Sequence, residues 1–255
     1  SLSYSCTTAG GDGFLKIHIP DDFRAGKYRL VLGRGETQYP LGSSEFNVVS
    51  DLKNLYNTKI VAHRGYHYGN AAENSVASLA EAQKLGVYGS EFDVYITTDG
   101  VPVIYHNSTF KGNEVPEDAK YKGWRPDSRT YEEIKDYKLA NGEPLPTLDD
   151  YLNQAKLYPN VKLIIEIKNH NTTDKTMRAA QTCVDAVKAK GLQNQVEYIA
   201  FSYDVCKKLA GLAPEATVQY LNGDKAPSTV FADGIKGIDY SYSKLTDARI
   251  KKANG

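Results

Sequence analysis

The sequence VKLIIEI at residues 161–167 decides the fold class. It is an almost continuous apolar run, which is typical of a β-strand that is buried on both faces. A helical segment is predicted at residues 174–189, and a second apolar run follows at residues 196–201. A buried strand, a helix and another buried strand in succession predict a parallel β-α-β unit.

The same alternation extends over most of the chain. Further strands are predicted at residues 59–62, 89–96, 101–105, 216–221 and 234–240. Further helices are predicted at residues 74–85, 130–137, 148–157 and 204–210, with a last one from residue 246. Strands that alternate with helices predict an α/β fold with a parallel sheet, either doubly wound or closed into a TIM (β/α) barrel.

Residues 1–50 have a different pattern. Short stretches with strand-like alternation are separated by turn residues, without helical segments between them. We expect a small all-β piece of an immunoglobulin-like sandwich here, because three or four strands are too few to complete a sandwich. Residues 51–57 are predicted to be a linker, and residues 58–255 to be the barrel domain.

Composition excludes several classes of protein. The 255 residues carry 31 Lys and Arg against 31 Asp and Glu, so no net charge favours nucleic acid or an acidic membrane. Cys6, Cys183 and Cys206 have no spacing typical of a zinc site, and their odd number argues against a complete disulfide framework. No transmembrane segment is expected, since no apolar run approaches the roughly 18 residues that a membrane helix needs.

Two predicted strands carry charged residues where a buried strand normally has none. Glu91 and Asp93 are two positions apart, so their side chains point to the same face of their strand. Glu166 and Lys168 repeat this spacing in a later strand. Inward residues at the carboxyl ends of barrel strands line the mouth of an active site. An oxygen-rich cluster of Glu91, Asp93 and Glu166 suits Mg²⁺ or Ca²⁺, although buried salt bridges explain the same pattern.

Two histidines stand at the ends of predicted strands. His63 follows the first strand of the barrel region and His106 follows the third. Beside a cation, two imidazoles can act as general base and general acid, because a pKa near 6.5 allows either protonation state at neutral pH. Arg64 and Lys168 supply fixed positive charge for a phosphate. Strand-end histidines are also common as simple hydrogen-bonding neighbours, so their placement together is what favours catalysis.

Taken together, these motifs resemble those of the glycerophosphodiester phosphodiesterase family, whose fold is a TIM barrel. The resemblance covers about residues 58–250. It runs through HRG at 63–65, ENS at 73–75, EFDV at 91–94, TDGVPV at 98–103 leading to His106, LPTL at 145–148, EIK at 166–168 and FS at 201–202. It implies metal-dependent hydrolysis of glycerophosphodiesters to glycerol phosphate and an alcohol, with a divalent cation, Ca²⁺ or Mg²⁺, as cofactor and a small molecule as the partner.

The resemblance also implies a role for individual residues. They are His63 and His106 as the acid and base pair; Glu91, Asp93 and Glu166 as metal ligands; Arg64 and Lys168 as phosphate contacts; and Asn74 as a further candidate ligand of the metal or the phosphate. The segment at residues 107–129, which contains Lys111 and Trp124, is expected to overhang the mouth and contact the alcohol, or else to be an inert surface loop.

Two features depart from the family pattern. Asn107 follows His106 where the family usually has Asp, which removes a negative charge that tunes the imidazole. Seven strands are predicted before Gly255, and the last strand with its tryptophan motif is absent, so we expect the natural chain to continue.

Two other functions stay open at this level. A phospholipase C or sphingomyelinase D type of enzyme uses similar residues on lipids, although residues 107–129 show little of the apolar rim that it needs. A non-catalytic surface protein that binds phosphoesters or glycans would use the β-rich piece for attachment. A secreted or periplasmic location is expected from that appended piece.

Overall fold

The chain divides into two units, Ser1–Lys59 and Ile60–Gly255. The computed structural model describes residues 7–8, 15–16, 26–34 and 37–48 of the first unit, and residues 59–112 and 115–246 around and beyond the boundary. The predicted linker at residues 51–57 and the helix predicted from residue 246 fall almost entirely outside these ranges.

The described strands of the first unit form two antiparallel pairs. Strand β1 (Thr7–Thr8) pairs with β2 (Leu15–Lys16), and β3 (Gly26–Arg34) pairs with β4 (Thr37–Val48). The immunoglobulin-like arrangement of this unit stays a prediction.

The second unit is an α/β fold on one seven-stranded sheet. Its strands are β5 (Val61–Ala62), β6 (Gly89–Ile96), β7 (Pro102–Ile104), β8 (Lys162–Ile167), β9 (Val196–Ala200), β10 (Thr217–Tyr220) and β11 (Gly237–Ile238). Six of them run parallel in the order β11-β10-β9-β8-β6-β5. The parallel sheet curls into a half-barrel.

The prediction that all the strands of this sheet are parallel is wrong for β7. It pairs antiparallel with β6, with Val94 opposite Ile104. The connection between the two strands is a tight turn in which the Thr97 hydroxyl donates a hydrogen bond to Asp99 Oδ1 at 2.5 Å and Gly100 has φ 87°. A parallel pair needs a crossover of a dozen or more residues, which this turn is too short to supply.

Among the residues that the structure describes, five predicted α-helices are present, and one further α-helix was not predicted. They are α1 (Val76–Lys84), α2 (Tyr131–Ile134), α3 (Leu148–Ala155), α4 (Thr173–Ala189), α5 (Tyr203–Leu212) and the unpredicted α6 (Pro227–Ala232). Pro227 at the first turn of α6 and Gly234 just beyond its end are the signals that the sequence offered. Among the helices described, none is both long and apolar enough to cross a membrane.

The two faces of the central strands differ sharply. Phe92 and Val94 of β6 and Ile165 of β8 are buried in the main apolar core, and the Phe92 ring lies 4.4 Å from the ring of Tyr151 on α3. Because side chains alternate along a strand, the residues between them must point to the opposite face of the curled sheet. Packing of the outer face against the helices therefore directs the charged residues inward.

A tight turn follows β5 and begins the candidate site. Gly65 has φ +78°, and its amide donates a hydrogen bond to the Ala62 carbonyl at 3.2 Å. A Cβ on Gly65 would lie 2.3 Å from Ser78 Oγ on α1, so the turn packs directly against this helix. Only glycine tolerates both the left-handed backbone and this close approach.

We expect Gly65→Ala to destabilise the second unit more than Gly69→Ala does. Gly69 also has positive φ, at +72°, but nothing lies within 4 Å of its missing Cβ. Gly69→Ala should therefore cost only the left-handed backbone term of about 1–2 kcal/mol, whereas Gly65→Ala adds a clash with Ser78. Urea unfolding followed by circular dichroism measures both. Equal losses for the two variants would contradict the packing described.

Candidate functional site

Three carboxylates converge on the inner face of the sheet. Asp93 of β6 is directly opposite Glu166 of β8, and Glu91 lies two residues before Asp93 on the same face. Each side chain is buried, and one oxygen of each carboxylate lies within 4.8 Å of one oxygen of each of the other two. The structure therefore brings together the three residues that the sequence singles out as metal ligands.

The charges in this cluster do not balance. Lys168 Nζ lies 3.0 Å from Asp93 Oδ1 and 2.8 Å from Glu166 Oε1, distances at which the three groups form ion pairs. Burial, reinforced by the negative charge of Asp93, raises the pKa of Glu91 to about 8. Burial also raises the pKa of Glu166, despite the nearby Lys168. Burial alone would lower the pKa of Lys168, but the carboxylates of Asp93 and Glu166 raise it above its ordinary value.

The donor set fits a hard divalent cation. Glu91 Oε1 is buried and has no hydrogen-bond partner among the described residues, and neither Asp93 Oδ1 nor Glu166 Oε1 accepts a bond of hydrogen-bond geometry there. Oxygen ligands of this kind suit Ca²⁺ and Mg²⁺. A cation held by Glu91, Asp93 and Glu166 would also relieve the repulsion that raises their pKa values.

Asn74 holds one of these carboxylates in place. Its side-chain amide donates to Asp93 Oδ2 at 2.8 Å, and its Oδ1 accepts the backbone amide of Asp93 at 3.2 Å. The backbone of Asn74 is left-handed, with φ 58°, and its amide donates to the Arg64 carbonyl at 3.0 Å. Both polar atoms of this side chain are thus turned to Asp93, so its sequence-based role as a ligand of the metal or phosphate stays a prediction.

Arg64 connects the acidic cluster with a histidine. Its backbone amide donates to Glu91 Oε2 at 2.8 Å. Its guanidinium donates through Nη1 to Glu73 Oε2 at 2.9 Å and through Nη2 to His106 Nε2 at 2.8 Å, while Nε lies 3.8 Å from Asp93 Oδ2. Partial burial would raise the pKa of Glu73, but the hydrogen bond and charge of Arg64 hold it below its ordinary value.

The contacts of His106 define its tautomer. A guanidinium can only donate, so Nε2 must accept the bond from Arg64 and carry no proton. The proton of the neutral ring then lies on Nδ1, which donates to Asn107 Oδ1 at 2.9 Å. His106 therefore presents a basic nitrogen beside Arg64.

His63 is placed differently. Its Nε2 lies 3.8 Å from Glu91 Oε2, and 70% of its side chain is exposed. The burial that the ring does have, together with the charge of Arg64, lowers the pKa of His63. His63 thus lies beside Glu91 in a solvent-facing position. His106 lies beside Arg64, whose amide is bonded to Glu91, in a more enclosed position.

A small cavity adjoins His106. It has a volume of about 150 Å³, and its polar lining includes Glu73, Asn74, His106 and Lys111. Lys111 belongs to the long segment at residues 107–129, and the structure places it on the wall of this cavity. The apolar walls of this cavity carry no signal in the sequence, because they look like ordinary core residues.

Trp124 is placed in an aromatic cluster rather than beside the carboxylates. Its ring lies 5.5 Å from the Tyr121 ring, edge to face, and the Arg129 guanidinium lies 4.0 Å above it. The predicted contact between Trp124 and the substrate alcohol stays a prediction.

Comparison with known proteins identifies the family. The model of the glycerophosphoryl diester phosphodiesterase family matches residues 63–243. The chain belongs to this family. The family predicted from the motifs is thereby confirmed, and so is the enzyme class, phosphoric diester hydrolase.

Individual relatives agree with this assignment. The chain is 40% identical to a glycerophosphodiester phosphodiesterase of known structure from Parabacteroides distasonis, with a TM-score of 0.71 over 78% of this chain and 80% of that one. It is 30% identical over 128 residues to glycerophosphodiester phosphodiesterase 1 of Mus musculus, which covers 47% of this chain and only 36% of the mouse protein. An Oleispira antarctica phosphodiesterase, solved in complex with the product sn-glycerol-3-phosphate, is 20% identical with a TM-score of 0.64 over 77% of this chain and 80% of that one, and shows the fold alone.

Without a divalent cation, we expect Glu91→Gln to stabilise the protein increasingly as the pH rises. The folded-state pKa of about 8 lies above the ordinary value of 4.5. The wild type therefore loses stability between these pH values, because the unfolded carboxyl ionises first. Glutamine keeps an oxygen for the Arg64 amide but does not ionise, so the variant should gain about 2 kcal/mol or more over the wild type between pH 5 and pH 8 in EDTA.

Thermal unfolding at the two pH values measures this difference. Glu132→Gln, on the exposed surface of α2, is the matched control and should show no such trend. A wild-type protein whose stability changes with pH in the same way as that of Glu91→Gln would contradict the electrostatics of the cluster.

Proposed function

We propose that this chain hydrolyses glycerophosphodiesters to glycerol phosphate and an alcohol, with one divalent cation, Ca²⁺ or Mg²⁺, in the acidic cluster. The observation that carries the proposal is the buried Glu91 carboxylate, whose Oε2 is held by the Arg64 amide while Oε1 has no hydrogen-bond partner among the described residues. Membership of the glycerophosphoryl diester phosphodiesterase family supports the same activity.

The positive side chains of the site are placed to bind the phosphate of the substrate. When bound, a divalent cation would offset the negative charge that develops on the phosphoryl oxygens. Lys168 is fixed by its ion pairs to Asp93 and Glu166 at 3.0 Å and 2.8 Å, and Arg64 presents a planar fork of donors. We assign both residues to the phosphate, with Arg64 shifting its Nη2 from His106 to a phosphate oxygen.

The two histidines divide the proton transfers. Release of Nη2 leaves the lone pair of His106 Nε2 free to accept a proton from the attacking hydroxyl, which belongs to water or to the glycerol of the substrate. His63, on the solvent-facing side, donates a proton to the departing alcohol oxygen. The attacking hydroxyl thereby loses a proton to His106 while the leaving group gains one from His63.

The remaining expectations extend the same proposal. We propose that the curled sheet is part of a TIM barrel and that the first unit is part of an immunoglobulin-like sandwich. A secreted or periplasmic location is proposed from this appended β-rich unit. Fractionation of the native cells tests the location, and protein confined to the cytosol would refute it.

Metal-dependent release of glycerol phosphate from glycerophosphocholine tests the activity. We expect hydrolysis with Ca²⁺ or Mg²⁺, loss in EDTA, and a fall in kcat of about 10²-fold to 10⁴-fold in His63→Ala and in His106→Ala, which is typical of lost acid or base catalysis. His67→Ala is the control, since its ring contacts the Gly65 carbonyl at 3.2 Å and has no assigned role. Full turnover in EDTA or in His106→Ala would refute the mechanism.

Asn107→Asp should move the acidic limb of the pH profile upward. A carboxylate in place of the Asn107 oxygen, 2.9 Å from Nδ1, would stabilise the imidazolium form of His106. The base would then stay protonated to a higher pH, so kcat/KM at pH 6 should fall relative to wild type and the limb should shift by about 1 unit. Asn107→Ala, which adds no charge, should show no upward shift, and an unchanged profile in Asn107→Asp would exclude this contact from catalysis.

A further inference from the structure

The hydrogen-bond ladder between β6 and β8 is interrupted at the carboxyl ends of the two strands. Lys168 follows β8, and its backbone amide donates to the Val94 carbonyl at 3.2 Å, as in a regular parallel pair. The regular pattern would continue with a bond from the backbone amide of Ile96 to the Lys168 carbonyl. Both of these groups bond instead to the side chain of His170. An imidazole thus replaces one hydrogen bond of the ladder.

The two contacts define the protonation state of the His170 ring. The Ile96 amide can only donate, so Nε2 of His170 accepts its bond at 2.8 Å and carries no proton. The Lys168 carbonyl can only accept, so Nδ1 carries the proton and donates to it at 2.7 Å. Burial lowers the pKa of His170, which agrees with a neutral ring. Both ring nitrogens are therefore bonded to backbone groups, and neither serves as an acid or base.

The position of this ring is fixed from several sides. Its residue is only 9% exposed, and Tyr95 of β6 packs against it edge to face with the ring centres 5.2 Å apart. The backbone amide of His170 donates to the Thr176 hydroxyl on α4 at 3.0 Å. The next amide, that of Asn171, donates to Oδ2 of the buried Asp127 in the long segment at 2.6 Å. The sheet, α4 and the long segment together hold the imidazole in place.

Lys168 is the site residue that this bond orients. Its Nζ reaches Asp93 and Glu166 at 3.0 Å and 2.8 Å, and its carbonyl accepts the bond from His170. The bond therefore sets the backbone orientation from which the lysine side chain starts. That side chain is a flexible stem of four methylene groups, so it does not hold its own direction when the backbone turns. A displacement of about 1 Å at a reacting group costs up to about 100-fold in rate.

We propose that His170 is a positioning residue that spaces the ends of β6 and β8 and directs Lys168 to the phosphate of the substrate. The inference rests on the proposed function, in which Lys168 binds that phosphate. His170 acts through Lys168, because both of its ring nitrogens are bonded to the backbone.

Two substitutions separate the hydrogen bonds of His170 from the volume of its ring. His170→Phe keeps an aromatic ring but loses both bonds, so kcat/KM for glycerophosphocholine should fall about 10-fold to 100-fold. His170→Asn places an amide nitrogen where Nδ1 lies and keeps the bond to the Lys168 carbonyl. It should lose no more than about 5-fold, the effect of one neutral hydrogen bond. A wild-type value in His170→Phe, or equal losses in the two variants, would overturn the inference.

A double-mutant cycle tests whether His170 acts through Lys168. Lys168→Met removes the ammonium group that His170 is proposed to direct. Adding His170→Phe to Lys168→Met should then lower kcat/KM by no more than about 3-fold, because the two residues contribute to one interaction. Effects that multiply fully in the double variant would show that His170 acts independently of Lys168 and would overturn the inference.

Gln195→Leu is the matched control for a general loss of structure. Gln195 is also buried, and its Nε2 donates to three backbone carbonyls near the amino end of β9, at the opposite end of the sheet. Both Gln195→Leu and His170→Phe should lower the midpoint of thermal unfolding. Only His170→Phe should lower kcat/KM when activity is measured well below both midpoints, and an equal fall in Gln195→Leu would contradict a positioning role.

The proposed function and this inference fail in different ways. If the wild type does not hydrolyse glycerophosphocholine with Ca²⁺ or Mg²⁺ present, the proposed function is wrong and the inference falls with it. If hydrolysis is unaffected by His170→Phe, only the positioning role is wrong.

Discussion

Three carboxylates and one ammonium group share a buried volume on the inner face of the half-barrel, and this arrangement is intrinsically unfavourable. An ionised carboxylate taken out of water loses several kcal/mol of solvation unless a partner compensates for it. Lys168 compensates Asp93 and Glu166 in part, but Glu91 keeps a buried oxygen without a hydrogen bond among the described residues. A divalent cation held by these oxygens, as proposed above, would supply the compensating charge.

Two residues that contact this cluster have strained backbone conformations. Arg64 and Asn74 both have left-handed backbones, with φ 57° and 58°, although neither is glycine. These conformations aim the Arg64 amide at Glu91 and the Asn74 side chain at Asp93. Strained residues of this kind persist where the neighbouring structure determines them and are concentrated at functional sites. The turn at Gly65 and the start of α1 provide that support.

Arg64 also connects the acidic cluster, the proposed cation site, with His106, the proposed base. One residue contacts Glu91 through its backbone and both Glu73 and His106 through its side chain. Any change at the acidic cluster that moves Arg64 therefore also changes the contact between its guanidinium and His106. His106, the proposed base, and Glu91, a proposed metal ligand, are thereby connected through hydrogen bonds to the same residue.

The sequence predicted the charged cluster well because strand periodicity is strict. Once the outer face of β6 is apolar, Glu91 and Asp93 must share the inner face. Other features were out of reach for physical reasons. A short apolar run such as that of β7 predicts a strand but does not show whether the strand runs parallel or antiparallel to its neighbour. The antiparallel pairing of β7 with β6 was therefore missed. The sequence around Trp124 does not distinguish a tryptophan that packs on Tyr121 from one that contacts a substrate.

Local geometry was also hidden from the sequence. The motif at Asn74 suggested a ligand, but the left-handed backbone that turns its amide to Asp93 is set by the packing of α1 against the turn after β5. Leu139, a buried residue in the lining of the cavity beside His106, could not be distinguished in the sequence from ordinary core. Charge and periodicity thus predict where a site lies, whereas its shape depends on tertiary packing.

Anomalous diffraction from crystals soaked in Mn²⁺ tests the proposed metal site, because it locates the cation independently of activity. We expect a single strong peak within about 2.0–2.6 Å of oxygens from Glu91, Asp93 and Glu166 together. A Mn²⁺ peak elsewhere, or no peak while Lys168 remains paired with Asp93 and Glu166, would show that the cluster is a buried salt bridge and would contradict the proposed cation site.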